Sequence, residues 1–261
     1  MPELKIKFKY RNGTADSGRM NLYDSSAALN GIARTTSIIT HAYLNGTIRT
    51  RGDAAHGAQF YVRAPRQGSF IYEVVIFSAG AVSTGLFYDF IKYALGEAVG
   101  QFDDAEQRSK SLRERIEPTI GELGAALESP LDEVHRPIRK EPEIELDVAR
   151  PRGEVLAKFD SKTALQLMPR TVPAPHPIVG NVTRYNTLTG WGRFYDREEE
   201  RPISFFVDTD LSDYQRSLVT WSLHEANIGN RGTLYLGADA IVSPTDKIKR
   251  YNVSRISNTP I

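Results

Sequence analysis

Prolines concentrated in two short stretches divide this chain of 261 residues. Eight of its fourteen prolines lie within 130–152 and 169–177. Proline lacks a backbone N–H and clashes with the preceding helical turn, so these stretches disfavour regular helix. The pattern therefore predicts a proline-rich connector over 130–177, between one domain over 1–129 and a second over 178–261. A chain of this length is long enough for two small domains.

The first domain alternates strand-like and helix-like patterns. In residues 5–10, apolar side chains alternate with lysines, which is the period of a half-buried strand. The dipeptide Asn12-Gly13 then predicts a hairpin with a return strand over 19–23. Between residues 29 and 43, apolar residues recur every three or four positions, as on one face of a helix. Further strand-like and helix-like segments follow, so the order predicts an α+β lobe.

The last domain reads as short strands with one helix inserted over 214–227. About eighty residues organised in this way suit a small closed barrel better than a sandwich. We therefore expect an α+β protein: an N-terminal α+β lobe, a proline-rich connector and a small C-terminal β-barrel. The barrel would be of the oligonucleotide-binding or SH3-like type.

The composition argues against several kinds of chemical site and against a membrane span. The chain has no cysteine, which excludes disulfides, thiolate zinc sites and a cysteine nucleophile. Its five histidines have no metal-ligand spacing, so we predict no metal site and no cofactor. The N-terminus has no signal-peptide core, and the uncharged run 74–88 is short for a membrane span. These features predict a cytoplasmic protein with no membrane contact.

No catalytic residue is predicted. The segment from Gly80 to Gly85 joins a strand to a helix, a geometry that can bind an anion, but it lacks the lysine of a phosphate loop. The pairs Asp103-Asp104 and Asp208/Asp210 leave a metal-dependent nuclease or hydrolase open, although each pair also suits a helix start. A protein that is not an enzyme is the favoured interpretation.

A modest excess of positive charge marks the first 80 residues, which contain 10 Lys and Arg against 5 Asp and Glu. This excess is smaller than the basic stripe of a dedicated DNA-binding protein and also fits ordinary surface variation. If the strands that carry the basic residues share one sheet face, these residues would form a nucleic-acid-binding patch. The candidates are Lys5, Lys7, Lys9, Arg63 and Arg66.

The segment from Gly180 to Phe194 carries a distinctive pattern. It reads Gly-x-Val-x-x-Tyr-Asn, then Gly-Trp-Gly-x-Phe after three residues, and Phe205-Phe206-Val207 follows. The pattern resembles the first strands of cold-shock domains, which are five-stranded oligonucleotide-binding barrels. The resemblance covers residues 180–208 and implies this barrel fold for the last domain.

The same resemblance implies a binding surface for single-stranded nucleic acid. Tyr185, Trp191 and Phe206 would stack on bases, each ring contributing about 1–3 kcal/mol. Arg184 and Arg193 stand where the family carries further aromatic residues, and an arginine can both stack and bind phosphate. The acidic run 198–200 departs from the family because it would repel phosphates.

Three functions remain open at this stage. The favoured hypothesis is a non-enzymatic protein that binds single-stranded nucleic acid or a partner protein. The first alternative is an interaction or scaffold subunit with no nucleic-acid contact, in which the aromatic residues only pack the barrel. A nuclease or hydrolase is the second. The whole chain is also similar to uncharacterised bacterial proteins, which implies a bacterial or phage multi-protein system, for example in phage defence. The sequence does not specify an oligomeric state.

Overall fold

The computed structural model describes residues 3–51, 55–63, 70–80, 82–101, 109–208, 210–244 and 246–260. The chain forms two compact units. The first unit consists of Met1–Thr119 and Leu123–Met168, and the second of Ile120–Glu122 and Pro169–Ile261. The first is an α+β unit, and the second is a closed barrel with an inserted helix, which confirms the predicted fold class.

The first unit is built on a five-stranded antiparallel sheet of order β2-β3-β1-β4-β5. Alternate residues of the central strand β1, including Ile6 and Phe8, are buried, because successive side chains of a strand point to opposite faces. The elements are β1 (Glu3–Arg11), α1 (Leu22–Asn45), β2 (Ala58–Arg63), β3 (Phe70–Ser78), α2 (Thr84–Ala98), α3 (Lys110–Ile116), α4 (Glu122–Val134), α5 (Arg136–Lys140), β4 (Glu145–Ala149), β5 (Val155–Phe159) and α6 (Ser161–Gln166).

The hairpin predicted at the start of the chain does not form. Asn12 and Gly13 both have positive φ, at 65° and 51°, but they lead into a short 3-10 helix instead of a return strand over 19–23. The side chain of Asn21 then caps α1 by accepting two backbone N–H bonds. β1 pairs instead with β3 and β4, which lie far from it in sequence. A local turn signal was overridden by long-range strand pairing.

Residues 130–168 fold into the first unit, which differs from the predicted connector. α4 continues through Pro130, and β4 and β5 complete one edge of the sheet. Pro130 is buried, and its carbonyl oxygen would lie only 2.5 Å from a Cβ at Gly31 in α1. Such close helix packing compensates for the backbone hydrogen bond that a proline inside a helix cannot donate.

The second unit is a barrel closed by five strands in the cyclic order β11-β9-β8-β7-β10. β9 and β11 pair in parallel, the other neighbours are antiparallel, and β6 extends the sheet beside β10. The elements are β6 (Arg170–Pro173), β7 (Ile178–Tyr185), β8 (Trp191–Asp196), β9 (Arg201–Val207), α7 (Asp213–Asn227), β10 (Leu234–Val242) and β11 (Ile248–Ser257).

The barrel interior is filled by alternate residues of its strands, among them Phe194, Phe205 and Tyr251. The helix α7 begins after Ser212, whose side chain accepts the backbone N–H of Gln215 at 3.3 Å. None of the described helices is both long and apolar enough to cross a membrane.

Candidate nucleic-acid interface

The strand register divides the predicted aromatic residues between the two faces of the barrel wall. Trp191 pairs with Phe206, whereas Tyr185 pairs with Gly192, which pairs in turn with Phe205. Side chains of paired residues lie on the same face, and successive residues of a strand lie on opposite faces. Trp191 and Phe206 therefore share the outer face, and Tyr185 lies on the inner face with the buried Phe205.

Tyr185 is part of the barrel packing. Its ring stacks on Phe205 with centroids 5.9 Å apart and 9° between the ring planes. Burial raises the pKa of the Tyr185 hydroxyl, and the charge of Arg216 opposes this effect. One flat side of the Tyr185 ring is thus covered by the protein itself.

The glycine at position 192 serves the same packing. A Cβ at Gly192 would lie 2.4 Å from the carbonyl oxygen of Arg184 and 2.5 Å from the ring of Phe205. The space that a side chain would need is therefore occupied by the barrel interior. The absence of a side chain at Gly192 therefore leaves room for the ring of Phe205.

Hydrogen bonds of Asn186 and the conformation of Gly190 shape the turn between β7 and β8. The backbone N–H of Gly190 donates to the carbonyl of Asn186 at 2.9 Å, and the side chain of Asn186 accepts the N–H of Leu188 at 3.0 Å. Gly190 has a φ of 75°, a conformation that favours glycine. This turn places Trp191 at the first position of β8.

On the outer face, Trp191 and Phe206 form a half-buried aromatic pair. Their ring centroids lie 5.3 Å apart, with 45° between the planes. A short segment of the same unit, Ile120–Glu122, lies against this pair. A Cβ at Gly121 would be 3.4 Å from the Trp191 ring and 3.6 Å from the hydroxyl of Ser204. Part of the indole is therefore already in contact with protein.

Arginine side chains accompany the aromatic pair on the outer face. Arg193 lies two residues beyond Trp191 on β8 and pairs in register with Arg184 on β7. Arg250 on β11 pairs in parallel register with Ser204 on β9. Arg184 and Arg250 are half-buried, whereas Arg193 is only 8% exposed. The structure thus brings three guanidinium groups to the face that carries the aromatic pair.

Sequence reasoning missed two members of this face, Arg250 and Tyr195. Tyr195 is 37% exposed and continues the outer row of β8 beyond Arg193. Alternation along β8 is the signal that could have identified Tyr195. Arg250 could not be found in the same way, because its place depends on the pairing of β11 with β9.

The four basic candidates that the structure describes in the first unit, Lys5, Lys7, Lys9 and Arg63, share one sheet face, as the patch hypothesis requires. Lys5, Lys7 and Lys9 alternate with the buried residues of β1. However, carboxylates lie among them: Lys5 Nζ is 3.1 Å from Glu3, and Lys7 Nζ is 3.9 Å from Glu73. Much of the positive charge is therefore compensated within the sheet.

Arg63 belongs to the same ion-paired network. Its guanidinium lies 3.2 Å from Glu3 and 3.0 Å from Glu73. Arg66, the remaining candidate, lies outside the described residues, as do Ala81 of the Gly80–Gly85 segment and the Asp103-Asp104 pair.

The acidic pair Asp208/Asp210 forms part of a turn. The backbone N–H of Asp210 donates to the side chain of Asp208 at 3.3 Å, and both residues are exposed. Across the described ranges, no group of three or more His, Cys, Asp or Glu side chains is placed to hold a metal ion.

The fold and this face define a class: a two-unit α+β protein whose second unit is a closed barrel with rings and guanidinium groups on its outer wall. Residues 6–165 match the family described as Domain of unknown function (DUF7946), and the chain belongs to that family. Residues 174–257 match a second description, Family of unknown function (DUF7947). No curated protein and no solved structure matches the chain.

Proposed function

We propose that the second unit binds single-stranded nucleic acid on the outer face of β7, β8, β9 and β11, and that it does so without catalysing a reaction. One observation carries the proposal: Trp191 and Phe206 share this face with Arg184 and Arg250. Aromatic rings stack on bases, and guanidinium groups attract phosphates and stack as well.

The geometry of the pair limits how many bases can stack. Trp191 and Phe206 are tilted by 45° and half-buried, so they offer one stacking position rather than a row of three. Tyr195 adds a second ring further along β8. At about 1–3 kcal/mol per stacked base, we expect a Kd in roughly the micromolar range or weaker.

The acidic turn 198–200 lies at the far end of β8 from the aromatic pair. Asp196, the last residue of β8, is five positions beyond Trp191, which at about 3.3 Å per position places the start of the turn about 16 Å away. This distance exceeds the Debye length of about 10 Å at 0.1 M salt. The three glutamates therefore weaken the attraction for phosphate near Tyr195 more than they do near Trp191.

A protein-binding scaffold is the second candidate function. The contact of Gly121 with the Trp191 ring favours it, because this contact uses the same face for packing protein against protein. In that case the outer face would support only protein contacts, and nucleic acid would not bind.

Tryptophan fluorescence separates these two candidates. The chain has two tryptophans, Trp191 on the proposed face and Trp221 on α7. The variant Trp221→Phe leaves Trp191 as the reporter, and the matched variant Trp191→Phe leaves Trp221. We expect short oligothymidylates to quench Trp191 emission, with an effect that weakens as salt rises, and to leave Trp221 emission unchanged. No quenching of either tryptophan with oligonucleotide raised to millimolar concentration would favour the scaffold.

A separate assay tests whether the protein is an enzyme. Incubation of the full chain with Mg²⁺ and end-labelled single-stranded DNA and RNA should leave both substrates intact. Cleavage with turnover, and its loss on addition of EDTA, would instead show a metal-dependent nuclease.

A further inference from the structure

A cavity of about 300 Å³ opens at one mouth of the barrel. Its floor consists of side chains from the barrel interior, including Ile178, Val242 and Tyr251. One wall is the proline-rich segment 173–177, which leads from β6 into β7. Among the described residues, the cavity lining includes none of the arginines or rings of the proposed nucleic-acid interface. Mouths of β-barrels are common places for small-molecule sites, and this volume is at the small end of their range.

The charged groups of the cavity lining are mostly acidic. Among the described residues, the lining contains four carboxylates, the guanidinium of Arg170 and the exposed imidazole of His176; the acidic residues are Asp196, Glu198, Glu199 and Asp246. Arg170 pairs with Asp246, and Glu199 lies 3.1 Å from Arg201. These two pairs leave the carboxylates of Asp196 and Glu198 to set the sign of the potential in the cavity.

Asp196 is held rigidly at the edge of the cavity floor. It is only 3% exposed, and the hydroxyl of Tyr251 donates to its Oδ2 at 2.6 Å. The backbone N–H groups of Glu198 and Glu199 donate to its Oδ1 at 2.8 and 3.3 Å. Burial, together with this hydrogen bond, raises the pKa of Tyr251, so its hydroxyl stays protonated and continues to donate. The carboxylate is therefore preorganised before any ligand arrives.

We propose that this cavity binds an organic cation, namely an ammonium or guanidinium group on an aliphatic stem. The apolar floor and the proline wall would cover the stem, and the carboxylates of Asp196 and Glu198 would attract the charge. The proline wall loses little conformational freedom on binding. Phosphates and carboxylates are disfavoured by the same acidic lining. The cation has two sources, a free amine and a basic side chain of a peptide, and the experiment distinguishes them.

Isothermal titration calorimetry of the full chain tests the ligand class. The probes are agmatine and spermidine as free cations, and a capped Gly-Arg-Gly peptide as a basic side chain. The matched control is the same peptide with citrulline, which keeps the shape and removes the charge. We expect the arginine peptide or agmatine to bind at least about tenfold more tightly than the citrulline peptide. Equal binding of both peptides, or no binding of any cation at millimolar concentration, would overturn the proposal.

The relative affinity of the probes then identifies the source. Agmatine that binds as tightly as the arginine peptide indicates a site for the cation alone. A peptide that binds at least about tenfold more tightly than agmatine indicates contacts to the peptide backbone, and hence a protein partner.

Two variants of the acidic turn test whether the cation binds in the cavity. Glu198→Gln removes a carboxylate from the cavity lining, and we expect it to weaken cation binding about fivefold. Glu200→Gln removes the same charge from the same turn at a residue outside the lining, so it should have little effect. Equal losses would indicate attraction to the general charge of the turn and would overturn the assignment to the cavity. In both variants, oligothymidylate should still quench Trp191 emission. A failure of the cation-site proposal can therefore be distinguished from a failure of the nucleic-acid proposal.

Discussion

The two sheets of the molecule differ in the residues that surround their outward basic side chains. On β1 of the first unit, outward lysines such as Lys7 have carboxylates of neighbouring strands beside them. On β8 of the second unit, the outward residues are Trp191, Arg193 and Tyr195. The two strands have the same alternation, but only the second places aromatic rings on both sides of a basic residue in its outward row. The same strand geometry therefore carries lysines among carboxylates in one unit and an arginine between two rings in the other.

The interiors of the two units differ as well. The first unit buries polar groups and bonds them internally: the hydroxyl of Tyr10 donates to the carbonyl of Val134 at 2.8 Å. His135 is fully buried there, with Nδ1 2.7 Å from the carbonyl of Leu131 and Nε2 3.0 Å from the hydroxyl of Thr163. The barrel interior consists mainly of aromatic and aliphatic side chains, and the buried polar pair of Tyr251 and Asp196 there contains no histidine. The stability of the first unit should thus depend on pH through His135.

The largest expected effect is a loss of unfolding free energy that differs between the two faces of β9. Phe205→Ala removes a fully buried ring that contacts both Tyr185 and Phe194, and should lower the unfolding free energy by about 3–5 kcal/mol. The neighbouring change Phe206→Ala removes a half-buried ring and should cost about 1 kcal/mol. Urea unfolding followed by circular dichroism measures both. Equal losses would contradict the assignment of the two rings to opposite faces.

The second largest effect is a pH dependence of the unfolding free energy that arises from the polar interior of the first unit. Burial lowers the pKa of His135 to about 4, so its stabilising contribution is complete above pH 6.5 and decreases as the pH falls towards 4. The loss amounts to about 3 kcal/mol over this interval. In His135→Gln, the difference in unfolding free energy between pH 7 and pH 4 should shrink by about this amount. Urea unfolding of His135→Gln and of the unchanged protein at pH 7 and pH 4 measures this difference, and an unchanged difference in His135→Gln would contradict the role of the buried imidazole.

The third effect compares exposed rings of the two units in nucleic-acid binding. Phe206→Ala should weaken oligothymidylate binding roughly 5- to 100-fold, which corresponds to about 1–3 kcal/mol for one stacked base. Tyr61→Ala removes a ring that is 55% exposed on β2 of the first unit, and its affinity should equal that of the unchanged protein. Fluorescence anisotropy with a labelled oligonucleotide gives both values. A loss in both variants would show that binding is not confined to the barrel.

The smallest effect concerns the cations of the two sheets. Arg250→Gln should reduce the slope of log K against log salt by about 0.7, as expected for one phosphate contact on a single strand. Lys7→Gln changes a lysine beside Glu73 on the first unit and should leave the slope unaltered. The measurement is a salt series of oligonucleotide titrations. An unchanged slope in Arg250→Gln would remove this arginine from the interface.

Several parts of this fold could be predicted from local sequence patterns. The apolar periodicity over residues 29–43 predicted α1, which ends at Asn45 because Gly46, with a φ of 66°, readily terminates a helix. The predicted helix over 214–227 agrees with α7, which begins after the capping side chain of Ser212. The barrel itself followed from short alternating segments in the last eighty or so residues. In each case the signal lies within a few residues of the feature that it predicts.

Other parts could not be predicted because their causes are distant in sequence. Pro130 disfavours a helix locally, yet α4 passes through it where the chain packs closely on Gly31. Tyr185 belongs to an aromatic motif, yet the register of β7 with β8 turns its ring towards Phe205. The sequence therefore predicted the strands that carry the candidate site, but it identified only some of the residues that share its face.

The sequence by itself determined the order of residues along β8, in which Trp191, Arg193 and Tyr195 occupy alternate positions. This alternation has a period of two residues, so it can be recognised within a single strand. A single strand does not show which of its two faces points inward. Only the tertiary structure decided which face is buried, because this depends on pairing between strands far apart in the chain, such as β9 with β11. That pairing also brings Arg250 to the face that carries the aromatic pair.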